Sequence, residues 1–185
     1  MSKVNYKALI LTILMTSGLG WGYPSAGVKS LETNIEDSVV SRDRFAVHSD
    51  LDAIVSQISP DSIEAYAHVL ESYPPRTIGS AASAQSREWL MAKLEDYGYT
   101  PVLDTFSYSE VSGHNIMAYH EGINYPNIYI IIGAHYDAVP GSPGAHDNGS
   151  GISGVLEIAR LMVDIETNVT VLFVLFDGEE WGVIG

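Results

Sequence analysis

Apolar residues recur at helical spacing in two stretches of this chain and then, beyond Gly98, at strand spacing. Ser59-Pro60-Asp61 sets an N-cap, a first-turn proline and an acid in order, and Ile63, Ala67 and Leu70 follow on one helical face. The pattern predicts a helix over 60–72 that stops before Pro74-Pro75, since proline removes a donor and clashes with the preceding turn. A turn at Arg76-Thr77-Ile78-Gly79-Ser80 leads into a second helix, with Ala82, Trp89, Leu90, Leu94 and Tyr97 near one face and Gly98 as its stop. Residues 102–108 and 116–119 then read as short strands. Residues 128–132, β-branched except at Tyr129, and 169–176 are continuous apolar runs, the pattern of strands buried on both faces of a sheet. Between them Val155, Ile158, Ala159, Leu161 and Met162 fit a helix over 152–165. Strand, helix, strand is a βαβ unit, whose two strands are expected to be parallel with a right-handed crossover. The fold class is therefore α/β: a mixed, mostly parallel sheet with helices on both faces.

Ahead of this body, Lys3 and Lys7 precede an apolar run from Ala8 to Met15 that continues through small residues to Gly22. Residues 1–26 read as a signal peptide or N-terminal anchor, too short and glycine-rich for an ordinary membrane-spanning helix of about 20 residues. A secreted or extracytoplasmic protein is expected, released or held by an uncleaved N-terminal segment. Residues 27–57 are polar and acidic and read as a linker, a propeptide-like arm or a peripheral helix, leaving 58–185 as the globular part.

Composition narrows the functions open to such a body. Its 185 residues suffice for one core, and 46% apolar with 17% charged residues excludes a disordered acidic tail. A net charge of −14 argues against nucleic acid and against any stable membrane partner beyond an N-terminal anchor, because both need clustered positive charge. The absence of cysteine removes disulfides, thiol nucleophiles and thiolate metal sites, so a metal here must be held by histidine and carboxylates.

Such residues stand where an α/β sheet binds ligands, just beyond the carboxyl ends of strands. His135-Tyr136-Asp137 follows the first apolar strand, Asp177-Gly178-Glu179-Glu180 follows the second, and a glycine-rich loop over 144–151 with Asp147 lies between them. An acidic cluster without a cation repels itself, which makes a bound metal the economical reading. His135 supplies a nitrogen ligand, Asp137 is spaced to orient that imidazole, and Asp147 sits among small residues where it can approach one metal or bridge two. The adjacent pair Glu179-Glu180 suggests one ligand and one general base.

The blocks Ile131-Ile132-Gly133-Ala134-His135-Tyr136-Asp137-Ala138-Val139-Pro140, Pro143-Gly144-Ala145-His146-Asp147-Asn148-Gly149-Ser150-Gly151 and Asp177-Gly178-Glu179-Glu180-Trp181-Gly182 resemble the M28 family of co-catalytic zinc aminopeptidases, in family order and spacing. The stretch from Ser59 to Leu94, with Arg76, Gly79, Ser80 and Trp89, is similar to the family's segment before the catalytic sheet, so the resemblance covers about residues 58–185. It implies a zinc-exopeptidase (phosphorylase/hydrolase-like) fold and two Zn2+ ions. His135 would bind one zinc, Asp147 would bridge both and Glu180 would bind the other. Glu179 would be the general base and Asp137 the partner of His135. The implied reaction is hydrolysis of peptide substrates, with the free α-amine anchored at the metals, hence removal of N-terminal residues.

Two departures stand out: His146 occupies a position where relatives carry an acid or small polar residue, and the family's remaining acidic and histidine ligands find no match after Glu180. The sequence is therefore expected to be the N-terminal portion of a longer peptidase domain, incomplete at the C-terminus and inactive as 185 residues. Alternatives of related chemistry are a dinuclear carboxypeptidase or deacylase of M20 type and a one-zinc glutaminyl cyclase. A non-catalytic ectodomain of the same fold is the alternative from another class. His48, His68, His114 and His120 lack carboxylate spacing and are expected outside any metal site. Tyr136 and Trp181 are read as cleft-lining or packing residues, Arg76 as a buried ion-pair partner or a surface residue, and Asn148 and Asn168 head weak glycosylation sequons.

Overall fold

The structure, a computed structural model, describes residues 46–185, and the leader expected over 1–26 lies outside them. Helix α1 (Ala46–Val55) belongs to a separate unit from Ser59–Gly185 and ends in a turn where Ser56 Oγ donates to Ala53 O at 2.8 Å. No helix among the described residues is long and apolar enough to cross a membrane.

In the main unit, local chemistry sets the helix ends. Helix α2 (Pro60–Ser72) starts where Ser59 Oγ accepts from Ser62 N at 3.1 Å, with Pro60 in the first turn. It stops as Tyr73 turns extended (ψ 148°), the conformation imposed on a residue before proline. Helix α3 (Ala81–Asp96) is capped by Ser80 Oγ, which accepts from Ser83 N at 3.0 Å. It closes through Gly98 at φ +99°, after which Tyr99 N returns to Leu94 O at 3.0 Å.

Strands β1 (Val102–Tyr108), β2 (Val111–His120), β3 (Tyr125–His135) and β4 (Val169–Phe176) form one sheet in the order β1-β2-β4-β3. The sheet is mixed, as expected. Its parallel part among the described residues is the β3–β4 pair, joined through helix α4 (Ser150–Met162), whereas β1–β2 and β2–β4 run antiparallel. Helices α2, α3 and α4 share one core with one face of the sheet. Ile116 and Ala118 of β2, Ala134 of β3 and Val171, Phe173 and Leu175 of β4 meet Leu70, Leu90, Leu94, Ile152, Val155 and Leu156 there. The expectation of helices on both faces is thus met on one face among the described residues. On α4 the inward positions are Ile152, Val155, Leu156 and Ala159, while Ile158, also part of the apolar pattern that predicts this helix, is 36% exposed.

One sequence expectation needs correction. The two apolar strands were expected to be buried on both faces, and only β4 is: Val171, Phe173 and Leu175 are buried on one side and Thr170 and Val174 on the other. Strand β3 has one neighbour and one covered face among the described residues, so Tyr125 and Ile128 are exposed and Ile130–Ile132 half-buried.

The start of α2 is tied to α4 through Glu157, which is 2% exposed. Its Oε1 accepts from Ser59 N at 2.7 Å, and Arg160 donates to both carboxylate oxygens at 2.7 and 2.9 Å. The Arg160 hydrogen bond, opposed by burial and helped by Ser59 N–H, holds the Glu157 carboxyl below its ordinary range. A carboxyl lowered in the folded state adds stability above its unfolded pKa and loses it as pH falls through the folded one. The stability gap between wild type and Glu157→Gln should therefore be full at neutral pH, start to narrow as pH drops toward about 4, the unfolded carboxyl range, and be lost only as pH falls through the lower folded value. Urea unfolding across that window checks this, and a gap independent of pH would refute it.

Candidate metal centre

Parallel pairing of β3 with β4 places both carboxyl ends at one edge, with His135 opposite Phe176 and Tyr136 N donating to Phe176 O at 2.8 Å. The residues that follow each strand therefore emerge side by side. The glycine-rich loop enters the same edge through Gly144, at φ +61°, and turns into α4. A Cβ at Gly144 would lie 2.7 Å from Ala138 Cβ and 2.9 Å from Asp147 O, so only glycine lets this loop approach the β3 loop.

The three loops bring most of the sequence-read site residues together. His135, 7% exposed, has Nε2 3.2 Å from Asp147 Oδ1 and 3.8 Å from Glu179 Oε2. Ligand atoms of His135, Glu179 and Glu180 all lie within 4.8 Å of one another, a spacing that fits a metal ion. Asp147 joins this group through His135 and is its most solvent-facing carboxylate, with 59% of its side chain exposed. The donors are one imidazole nitrogen and carboxylate oxygens with no thiolate, a set suited to zinc.

The electrostatics are those of a site short of positive charge. Burial works against protonation of His135, yet the Asp137 hydrogen bond and the charges of Asp137, Glu179 and Asp147 outweigh it and raise its pKa. Burial pushes the Glu180 carboxyl up, and the Asp147, Asp137 and Glu179 charges push the same way against His135. A cation among these groups relieves both effects.

Asp137 does more than the spacing suggested. Fully buried, it places Oδ1 3.3 Å from His135 Nδ1, an ion-pair contact. It also accepts Glu179 N at 3.2 Å on Oδ1 and Glu180 N at 3.1 Å on Oδ2. One carboxylate thus lies against the imidazole and clamps the turn bearing both glutamates. Asp177, quoted with that motif, lies outside the cluster: it is buried, with Oδ2 accepting from His114 N and Tyr136 Oη, and burial raises its pKa.

The remaining assignments sort by environment. Tyr136 is buried packing, whereas Trp181 is 43% exposed beside Glu180. His68 pairs with Glu64 and Glu71, His114 with Thr105, and His120 with the Ile165 carbonyl, all away from the metal-type cluster. His146 is exposed. Asn148 is 7% exposed and its Oδ1 accepts from Gly151 N, which leaves that sequon inaccessible in the folded chain. Arg76, left open by the sequence, is fully buried and bonded to backbone carbonyls.

Residues 115–185 match the sequence model of peptidase family M28. A probable zinc metalloprotease of Pyrenophora teres f. teres is 30% identical over 89% of this chain and 39% of its own length. Among solved structures, the Legionella pneumophila LapA aminopeptidase is similar with TM-score 0.65 and 27% identity, over 75% of this chain and 40% of that one. The glutaminyl cyclase of Porphyromonas gingivalis is similar with TM-score 0.61 and 27% identity, over 69% and 48%. The chain spans less than half the length of each of these proteins. With the mixed sheet and the order of its three loops, residues 115–185 place this part of the chain in peptidase family M28.

Proposed function

We propose that this chain carries part of the active site of an exopeptidase that removes N-terminal residues from peptides outside the cytoplasm, using two zinc ions. The observation that supports it most is the approach of Asp147, Glu179 and Glu180, from two separate loops, to the buried His135 at the end of β3. His135 and Asp147 would hold one ion and Asp147 and Glu180 the other, with Asp147 shared. Bound zinc supplies Lewis acidity that polarises a peptide carbonyl and lowers the pKa of water. The chain's own work is to place and move protons. Glu179, with a third of its side chain exposed, takes a proton from the attacking water and hands it to the leaving amine. Asp137 keeps Nδ1 of His135 protonated, so that Nε2 is the ligating atom.

The test is zinc content of the full-length protein together with release of a chromogenic amine from aminoacyl substrates. Activity should require a free α-amine and vanish with a chelator. Equal hydrolysis of N-blocked substrates would remove the aminopeptidase reading. The likeness to a glutaminyl cyclase supports a second reading, cyclisation of N-terminal glutamine with loss of ammonia. Ammonia release from a glutamine peptide without amine release from aminoacyl substrates would favour it.

A further inference from the structure

Arg76 lies at 0% exposure in the turn between α2 and α3, and its guanidinium is spent on backbone carbonyls. Nε donates to Tyr136 O at 2.7 Å, Nη1 to Leu70 O and Pro143 O, each at 2.6 Å, and Nη2 to Gly144 O at 3.0 Å. Those carbonyls belong to three segments: the last turns of α2, the loop after β3 and the glycine-rich loop. Tyr136 stands between His135 and Asp137, while Gly144 begins the turn that carries Asp147. Gly144 O also accepts from Gly149 N at 2.9 Å, which closes that turn around Asp147. The main chain adds a further tie, Ala138 N to Arg76 O at 3.3 Å.

We propose that Arg76 is a positioning residue for the metal centre, fixing the separation between the loop of His135 and Asp137 and the loop of Asp147 by bonding the backbone of both. The proposal rests on the metal reading above. A guanidinium suits the task because its donors lie in one rigid plane and point in fixed directions, so carbonyls bound at its two ends are held at a set distance. An ammonium has three rotatable donors at one point and cannot span the same carbonyls. The fit is close: a Cβ added at Gly144 would sit 2.9 Å from Nη2. Asp137, whose charge acts on Arg76 across the same buried region, favours the cation where burial alone opposes it.

The experiment compares Arg76→Lys and His135→Ala in the full-length protein. Zinc affinity is measured by chelator competition, ligand geometry by the visible spectrum of the cobalt-substituted form, and backbone order by hydrogen exchange. Arg76→Lys should bind zinc about 10–100-fold more weakly, the usual loss when a group that supports metal ligands is altered. Its cobalt spectrum should shift and exchange should quicken over 144–149, while α4 stays protected. Zinc affinity within twofold of wild type and an unchanged cobalt spectrum would overturn the positioning role, whatever happens to the melting temperature. If Arg76→Lys does not fold, Arg76→Ala refolded with methylguanidinium takes its place. Zinc affinity must then rise with methylguanidinium concentration, and affinity independent of it overturns the proposal. Wild-type zinc affinity in His135→Ala overturns the metal reading itself; affinity lost there and kept in Arg76→Lys overturns only the role of Arg76.

Discussion

Glu179→Gln should leave the zinc content of the full-length protein unchanged and lower kcat by about 10²–10⁴-fold, the usual contribution of a positioned general base. The amide keeps the size and the hydrogen-bonding reach of the side chain but cannot accept the proton of the attacking water. Glu180→Gln should instead cost zinc, because an amide oxygen is a poor replacement for an anionic ligand. Distance alone treats the two carboxylates alike, since both share a 4.8 Å group with His135. The difference assigned to them comes from the resemblance, which makes Glu180 the ligand. Metal analysis beside single-turnover kinetics separates the roles. Zinc lost from Glu179→Gln, with Glu180→Gln keeping metal and losing only rate, would reverse the assignment.

Legibility in the sequence follows the range over which each feature is determined. The ends of α2 and α3 were readable because Ser59, Pro60, Ser80 and Gly98 act within a turn of where they stand. The βαβ unit was readable from two long apolar runs and the helix between them. Strand β2 begins at Val111, five residues before the apolar run that signals it, because Ser112–Asn115 are held by pairing with β1 and not by their own hydrophobicity. Likewise β3 reaches back to Tyr125 through Pro126 and Asn127, across a register shift against β4 that no local pattern announces. In the site, His135, Asp147, Glu179 and Glu180 were legible as residue types at strand ends. Arg76 was not, because the carbonyls of Tyr136 and Gly144 that it binds lie 60 and 68 residues away, and a carbonyl carries no signature in a sequence.

The same limit applies to Asp137, whose removal should have the second large effect. The spacing of Asp137 to His135 suggested one task, orienting an imidazole, and the fold adds the backbone N–H groups of Glu179 and Glu180. Asp137→Asn would turn an NH2 group toward a donor, either one of those N–H groups or the Nδ1 side of His135. At least one charge-assisted bond is lost, costing about 1.5–3 kcal/mol, and a half-buried N–H or the Nδ1 side of His135 is left facing a donor, costing about 1–3 kcal/mol. Loss of the anion also leaves the buried Arg76 cation without the charge that favours it. Stability should fall by about 3 kcal/mol, as read by urea unfolding of the metal-free protein. Zinc affinity should weaken about 10–100-fold. The second effect separates a clamp from simple packing. If Asp137 only filled space, Asn, nearly the same in shape, would keep zinc affinity while stability changed little. If it holds the imidazole and the Glu179-Glu180 turn together, affinity must fall even below the unfolding transition, where the rest of the chain stays native. Wild-type chelator competition in Asp137→Asn would refute the clamp and leave the placement of the two glutamates to the β4 strand end alone.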